Sequence, residues 1–238
     1  MIRRNTAGEI REKLRALGSP EKAKILSRFF KTGPGEYGEG DIFLGIQVPM
    51  LRRVAKEYQD VSLKEAEKLL HSSIHEERLV ALLILISLFS KGTETHREEI
   101  YGLYLKSTAF INNWDLVDLS APQIVGAHLS GREKGPLHRL AKSASLWERR
   151  ISILATFYFI RENRFEETLH ISKMLLADPE ALIHKAVGWM LREVGKRHAV
   201  ALENFLSEHY ERMPRTMLRY AIERFPKSKR GQYLRGEI

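Results

Sequence analysis

At 238 residues the chain can bury a sizeable core, and 43% hydrophobic residues can fill it. It has no cysteine, which excludes disulfides and thiolate metal sites and fits a reducing, cytoplasmic setting. Lysine and arginine number 39 against 30 aspartates and glutamates, a net charge of +9, so the expected partner is a polyanion, nucleic acid first.

Taken in chain order, nearly every segment has helical period. No apolar core follows Arg3-Arg4, so no signal peptide is expected, and the longest apolar run, 79–86, is too short to span a bilayer. Glu9 to Leu17 is amphipathic and stops at Gly18. Ser19-Pro20 supplies an N-cap followed by Pro at the first helical position, predicting a second helix to about Lys31. The stretch from Thr32 to Asp41 is too rich in glycine for a helix, and it lacks the following Lys-Ser/Thr of a phosphate loop. Pro49 opens the next helix. Helices are then predicted at 49–59, 62–72, 75–90, 95–107, 113–129, 135–143, 146–162, 164–176, 179–197, 199–211 and 214–225, divided by stop signals such as Lys91-Gly92, Gly135-Pro136 and Met213-Pro214. Pro122 should kink or break the 113–129 helix. No segment alternates like a strand, and residues 226–238 read as a loose basic tail.

A longer period overlies these helices. Trp114 to Arg150 is 36 residues and Arg150 to Lys185 is 35. That spacing predicts an all-α fold, an α-solenoid of HEAT- or armadillo-like repeats over 1–238, C-shaped with a basic concave cleft. A monomer is expected. Arg78, Trp114, Arg150 and Lys185 all fall near the start of second helices, which line the concave side of such stacks. Asp118 follows Trp114 by four residues and Trp189 follows Lys185 by four, so each pair shares a helix face.

Singly these residues are ordinary. A helical aspartate bonds to a neighbour, a helical tryptophan fills a core, and Arg150 can pair with Glu148 or a carboxylate on an adjacent helix. Their common register suggests more: one wall with a carboxylate, two aromatic faces and several cations. Hydrolysis of neutral glycosides needs two carboxylates. A substrate whose base is already cationic, such as an N3- or N7-alkylated purine nucleotide, needs no acid. Its base leaves neutral, and a single carboxylate can stabilise the oxocarbenium sugar and align water. Tryptophan faces add about 1–2 kcal/mol each when desolvated. Arg150, Arg192, Lys185 and Arg78 are then the candidates for phosphate contacts. There is no Walker loop, His-Glu-x-x-His or Gly-x-Ser-x-Gly, and the nine histidines are scattered, so neither a metal nor a cofactor is expected.

At these residues the chain resembles the AlkD-type DNA alkylation-repair glycosylases, built of HEAT-like repeats. The similarity covers nearly the whole chain. It is most specific at Phe43-Leu44-Gly45-Ile46-Gln47-Val48-Pro49, Trp114-Asp115-Leu116-Val117-Asp118, Trp147-Glu148-Arg149-Arg150 and the stretch from Lys185 to Glu193. The resemblance implies a monofunctional glycosylase that removes cationic N3- and N7-alkylpurines from double-stranded DNA without flipping the base into a pocket. It implies that Trp114, Asp118, Arg150 and Trp189 contact the lesion-bearing deoxyribose and its phosphates. In a bacterium such an enzyme would be nucleoid-associated. Two departures stand out. Phe29 takes the place of a tyrosine that the family can put in the second helix, and the 32–41 loop is longer than in some members. The rival readings are a DNA-structure-binding protein without chemistry, which needs no Asp118, and a protein–protein scaffold, which needs no basic wall.

Overall fold

The structure is a computed structural model that describes residues 6–238. It is all-α, in agreement with an α-solenoid. Among the described residues the sole extended pairing is an isolated bridge between Ile42 and Ile74. The chain divides into two compact units, Met1–Ser120 and Ala121–Ile238.

The first unit contains α1 (Ala7–Leu17), α2 (Pro20–Phe29), α3 (Val48–Glu57), α4 (Leu63–Leu70), α5 (His75–Lys91), α6 (Glu94–Lys106) and α7 (Trp114–Ala121), whose last residue belongs to the second unit. Local chemistry explains the starts. Thr6 and Glu9 form a reciprocal capping box, and Ser19, Ser62 and Thr93 accept from backbone N–H groups of α2, α4 and α6. Helix α1 lays Ile10 and Leu14 against α3, α4 and α5. Helix α5 is apolar on all sides from Leu79 to Leu85, as a central helix must be, and each fully buried leucine or isoleucine there contributes about 1.5–3 kcal/mol. Helix α2 contrasts with it: none of its residues is buried, and Ile25 and Phe29 are exposed.

The second unit begins with a π-helical turn, Pro122–Gly126, continuous with α8 (Ala127–Leu129). The break expected at Pro122 is thus a widened turn, which accommodates the missing N–H without ending the helix. Next come α9 (Gly135–Ala141), α10 (Leu146–Ala155), α11 (Phe157–Arg161), α12 (Glu166–Met174), α13 (Ala181–Arg197), α14 (Ala199–His209), α15 (Arg215–Ala221) and α16 (Lys227–Arg235).

Two features differ from expectation. The helix predicted over 146–162 is two helices. The Thr156 hydroxyl donates to the Ile153 carbonyl (2.7 Å), a back-bond that competes with helix continuation. The Ala155 carbonyl also lies where a Cβ on Gly126 would be only 2.2 Å away, so the α10–α11 break packs directly on the π turn. The tail is not loose: α16 buries Tyr233 against Tyr210 and Phe225, and Lys229 pairs with Glu203 (2.7 Å). A basic composition concealed one aromatic anchor.

Candidate functional site

Trp114 is the first residue of α7 and is half-buried. Its N–H donates to Asn113 Oδ1 (2.8 Å), and Asn113 Nδ2 donates to Asp41 Oδ2 (3.1 Å), so the helix start is tied to the glycine-rich loop. The indole stacks on Phe30 (5.2 Å between centroids, 21°) and meets the edge of Phe29 at 6.0 Å. Phe30 stacks on Phe43 (5.1 Å), and Phe43 stacks on His75 (4.5 Å). The result is a column of four rings that holds the indole in one orientation. Phe29 thus meets Trp114 through a ring edge.

A buried polar network supports the base of this column. His75, 2% exposed, bonds Asp41 Oδ2 through Nδ1 (3.0 Å) and Asp115 Oδ2 through Nε2 (2.8 Å). Arg78 donates to Asp41 Oδ1 (2.5 Å) and to the Ser72 carbonyl (3.0 Å). Burial opposes a charge on His75, but hydrogen bonds to Asp115 and Asp41 outweigh it and raise the imidazole pKa to about 9. Burial likewise opposes the Asp41 carboxylate, yet His75, Arg78 and Asn113 hold its pKa below the ordinary value. His75 is thus paired with Asp41 and Asp115, and Arg78 with Asp41. Local spacing around His75 does not reveal this cluster, because its acids come from 34 and 40 residues away.

The network also separates two neighbouring aspartates. Asp115 is committed: Oδ2 takes the His75 bond, and Oδ1 accepts from Leu116 N (2.9 Å). Asp118 lies one turn beyond Trp114 and is half-buried. Its charge is felt by Tyr104, whose hydroxyl bonds Ser120 (2.8 Å); burial chiefly, with Asp118 adding, pushes the phenol well above its usual pKa. Beside the ring column a cavity of about 650 Å³, largely apolar, opens between α2, the 43–48 loop and the starts of α3 and α5, with Asp115 and Glu76 in its lining.

Arg78, expected among the phosphate-binding cations, is 3% exposed and bound to Asp41. It is a structural cation. Only its partners, a loop aspartate and a carbonyl, distinguish it from a surface arginine, and neither lies at helical spacing.

In the second unit Trp189, on α13, is half-buried and rests against Phe157 (5.8 Å). Arg161 covers the Phe157 ring at 4.3 Å. The indole Nε1 donates to Glu193 Oε1 (3.2 Å). Glu193, 7% exposed, is in turn surrounded by Lys196 (2.6 Å), Arg192 (3.6 Å) and Arg197 (3.9 Å). Asp118 is therefore not the only carboxylate beside an aromatic of the predicted set. Arg150 is 5% exposed, and its NH1 donates to the Leu182 carbonyl (2.6 Å), so it is a pinned cation and not a mobile one. Lys185 is exposed, while Arg192 is half-buried and also pairs with Glu223. The neighbouring Arg149 is held by Asp178 (2.6 Å) and by the Ser143 and Ala144 carbonyls.

No helix among the described residues is long and apolar enough to cross a membrane. A solved structure described as a predicted DNA alkylation repair enzyme from Enterococcus faecalis matches with a TM-score of 0.69 over 88% of this chain and 97% of that one. At 17% identity that likeness speaks for the fold. No curated protein matches the sequence. The model of the DNA alkylation repair enzyme family matches residues 10–225, nearly the whole chain, and the chain belongs to that family.

Proposed function

We propose that this alkylation-repair protein is a monofunctional DNA glycosylase acting on cationic N3- and N7-alkylpurines, with residues 1–238 serving as one functional domain. The observation that carries the reading is the pairing on α7. Asp118 and a rigidly stacked Trp114 stand one turn apart on the same helix, both half-exposed. As the glycosidic bond breaks, its electron pair stays with the alkylated base, which departs neutral, and positive charge develops on the deoxyribose. The Asp118 carboxylate stabilises that charge and orients the attacking water, whose proton it can accept. No general acid is required, so the base leaves without being protonated in a pocket. Trp114 and Trp189 present faces to the cationic sugar. Lys185, Arg192 and the pinned Arg150 bind backbone phosphates of the same double-stranded DNA.

The test is base release from duplex DNA containing N7-methylguanine. Asp118→Asn should lower the excision rate by about 10²–10³ while leaving duplex binding and melting temperature in place. Asp115→Asn should instead lower the melting temperature, since it removes a negative charge paired with His75. N7-methylguanine and N3-methyladenine should be released and uracil should not. Undiminished excision by Asp118→Asn, or efficient uracil release, would overturn the proposal. Duplex binding with no release of any base would favour a DNA-structure-binding role instead.

A further inference from the structure

The proposed chemistry gives Trp189 a face toward the sugar but leaves open what fixes its orientation. An indole is bonded to its helix through two rotatable bonds. On one side Phe157 limits its swing. On the other, the ring N–H needs an acceptor if it is to stay in one rotamer. Glu193 provides that acceptor from one turn further along α13.

A buried carboxylate is costly unless paired, and Glu193 is paired: Lys196 donates to the same Oε1 that takes the indole N–H, Arg192 approaches it, and Arg197 approaches Oε2. Arg192 is fixed from its far side by Glu223 on the chain segment after α15. Glu193 is thus held in place by three cations, and it holds Trp189. A residue kept only for helix solubility would not be 7% exposed.

We propose that Glu193 is a positioning residue for Trp189: it accepts the indole N–H and keeps the ring face at a fixed angle for the sugar cation. It acts through Trp189 and touches neither base nor sugar. The inference rests on the glycosylase reading for its catalytic consequence, but the contact itself can be tested without it.

The experiment uses three variants of the full chain, Glu193→Ala, Glu193→Gln and Trp189→Ala. Single-turnover release of N7-methylguanine is measured beside binding to undamaged duplex. Glutamine keeps an acceptor oxygen for the indole and alanine does not. Glu193→Ala should slow excision about tenfold, the scale of a lost hydrogen bond to a charged acceptor. Glu193→Gln should recover most of that loss. Binding to undamaged duplex should be unchanged or tighter in both, because Lys196, Arg192 and Arg197 are released from their carboxylate. A parallel arm replaces Trp114 and Trp147 with phenylalanine, leaving Trp189 as the sole tryptophan of the three. There Glu193→Ala should shift the emission and increase quenching by acrylamide, and Glu193→Gln should not. The proposal is overturned if the glutamine and alanine variants are equally impaired, or if alanine changes neither excision nor emission. If Trp189→Ala excises normally, the sugar-facing role of Trp189 fails, while the emission arm still decides the contact.

Discussion

The His75 network makes a prediction about stability and pH that owes nothing to the proposed reaction. His75 has a pKa of about 9 in the folded protein against 6.5 in a solvated chain. At 1.36 kcal/mol per pH unit, that interval corresponds to roughly 3 kcal/mol of stability. The folded pKa is the higher one, so the contribution is complete below pH 6.5 and is lost as pH rises through about 9. Asp41 behaves oppositely: its lowered pKa adds stability above the ordinary carboxylate range that disappears as pH falls through the folded value. Urea unfolding followed by circular dichroism, at about pH 6 and about pH 9.5, should show the wild type losing most of this contribution. His75→Gln should be less stable at the lower pH, and its stability should change little between the two, because the titrating group is gone. Comparing the two chains cancels the tyrosines and lysines that titrate in both. Parallel loss in wild type and His75→Gln would refute a protonated His75 in the folded state.

Other outcomes follow from single residues. If the phosphate contacts are those proposed, Lys185→Ala should reduce the slope of log K against log salt by about 0.9, read from duplex binding across a salt series. Arg78→Ala should leave that slope alone and instead cost about 3–5 kcal/mol, read by denaturation, because it strips a buried partner from Asp41. Gly188→Ala should lower the melting temperature: its Cβ would fall 2.5 Å from the Met217 carbonyl and 2.6 Å from Tyr220 Cβ, forcing α13 from α15 at a cost of about 1–3 kcal/mol.

Helix starts and stops were legible because they are local. Ser19-Pro20 is a cap written within four residues of the group it satisfies. The π turn was half legible, since Pro122 announces a fault but not its form. The near-36-residue period drew attention to Trp114, Asp118 and Trp189, all of which are half-exposed on their helices. It misassigned Arg78, because register places a residue on a helix but does not say which distant loop will pack over it. Asp41 lay in a segment read only as glycine-rich, and its role emerges only when the loop folds back on His75, Arg78 and Asn113. Glu193 was within a recognised motif, yet its bond to Trp189 became visible only from the side-chain rotamers.

The first turn of α5 has a consequence for how the N-terminal unit finds its fold. His75, Glu76, Glu77 and Arg78 are consecutive, ionisable and each at most 3% exposed. Between them they reach several distant stretches of chain: His75 binds Asp41 and Asp115, Glu76 accepts the backbone N–H groups of Leu44, Gly45 and Ile46, Glu77 binds Arg11, and Arg78 binds Asp41 and the Ser72 carbonyl. From Leu79 to Leu85 α5 is apolar, and its contacts there are non-directional. The charged turn adds directional contacts that fit one register. A slip of one residue would leave several buried charges without partners, at a few kcal/mol each, so misdocked arrangements lie well above the native one. The helix is keyed at one end like a plug with four dissimilar pins, and the loop that carries Gly45 is one of the sockets.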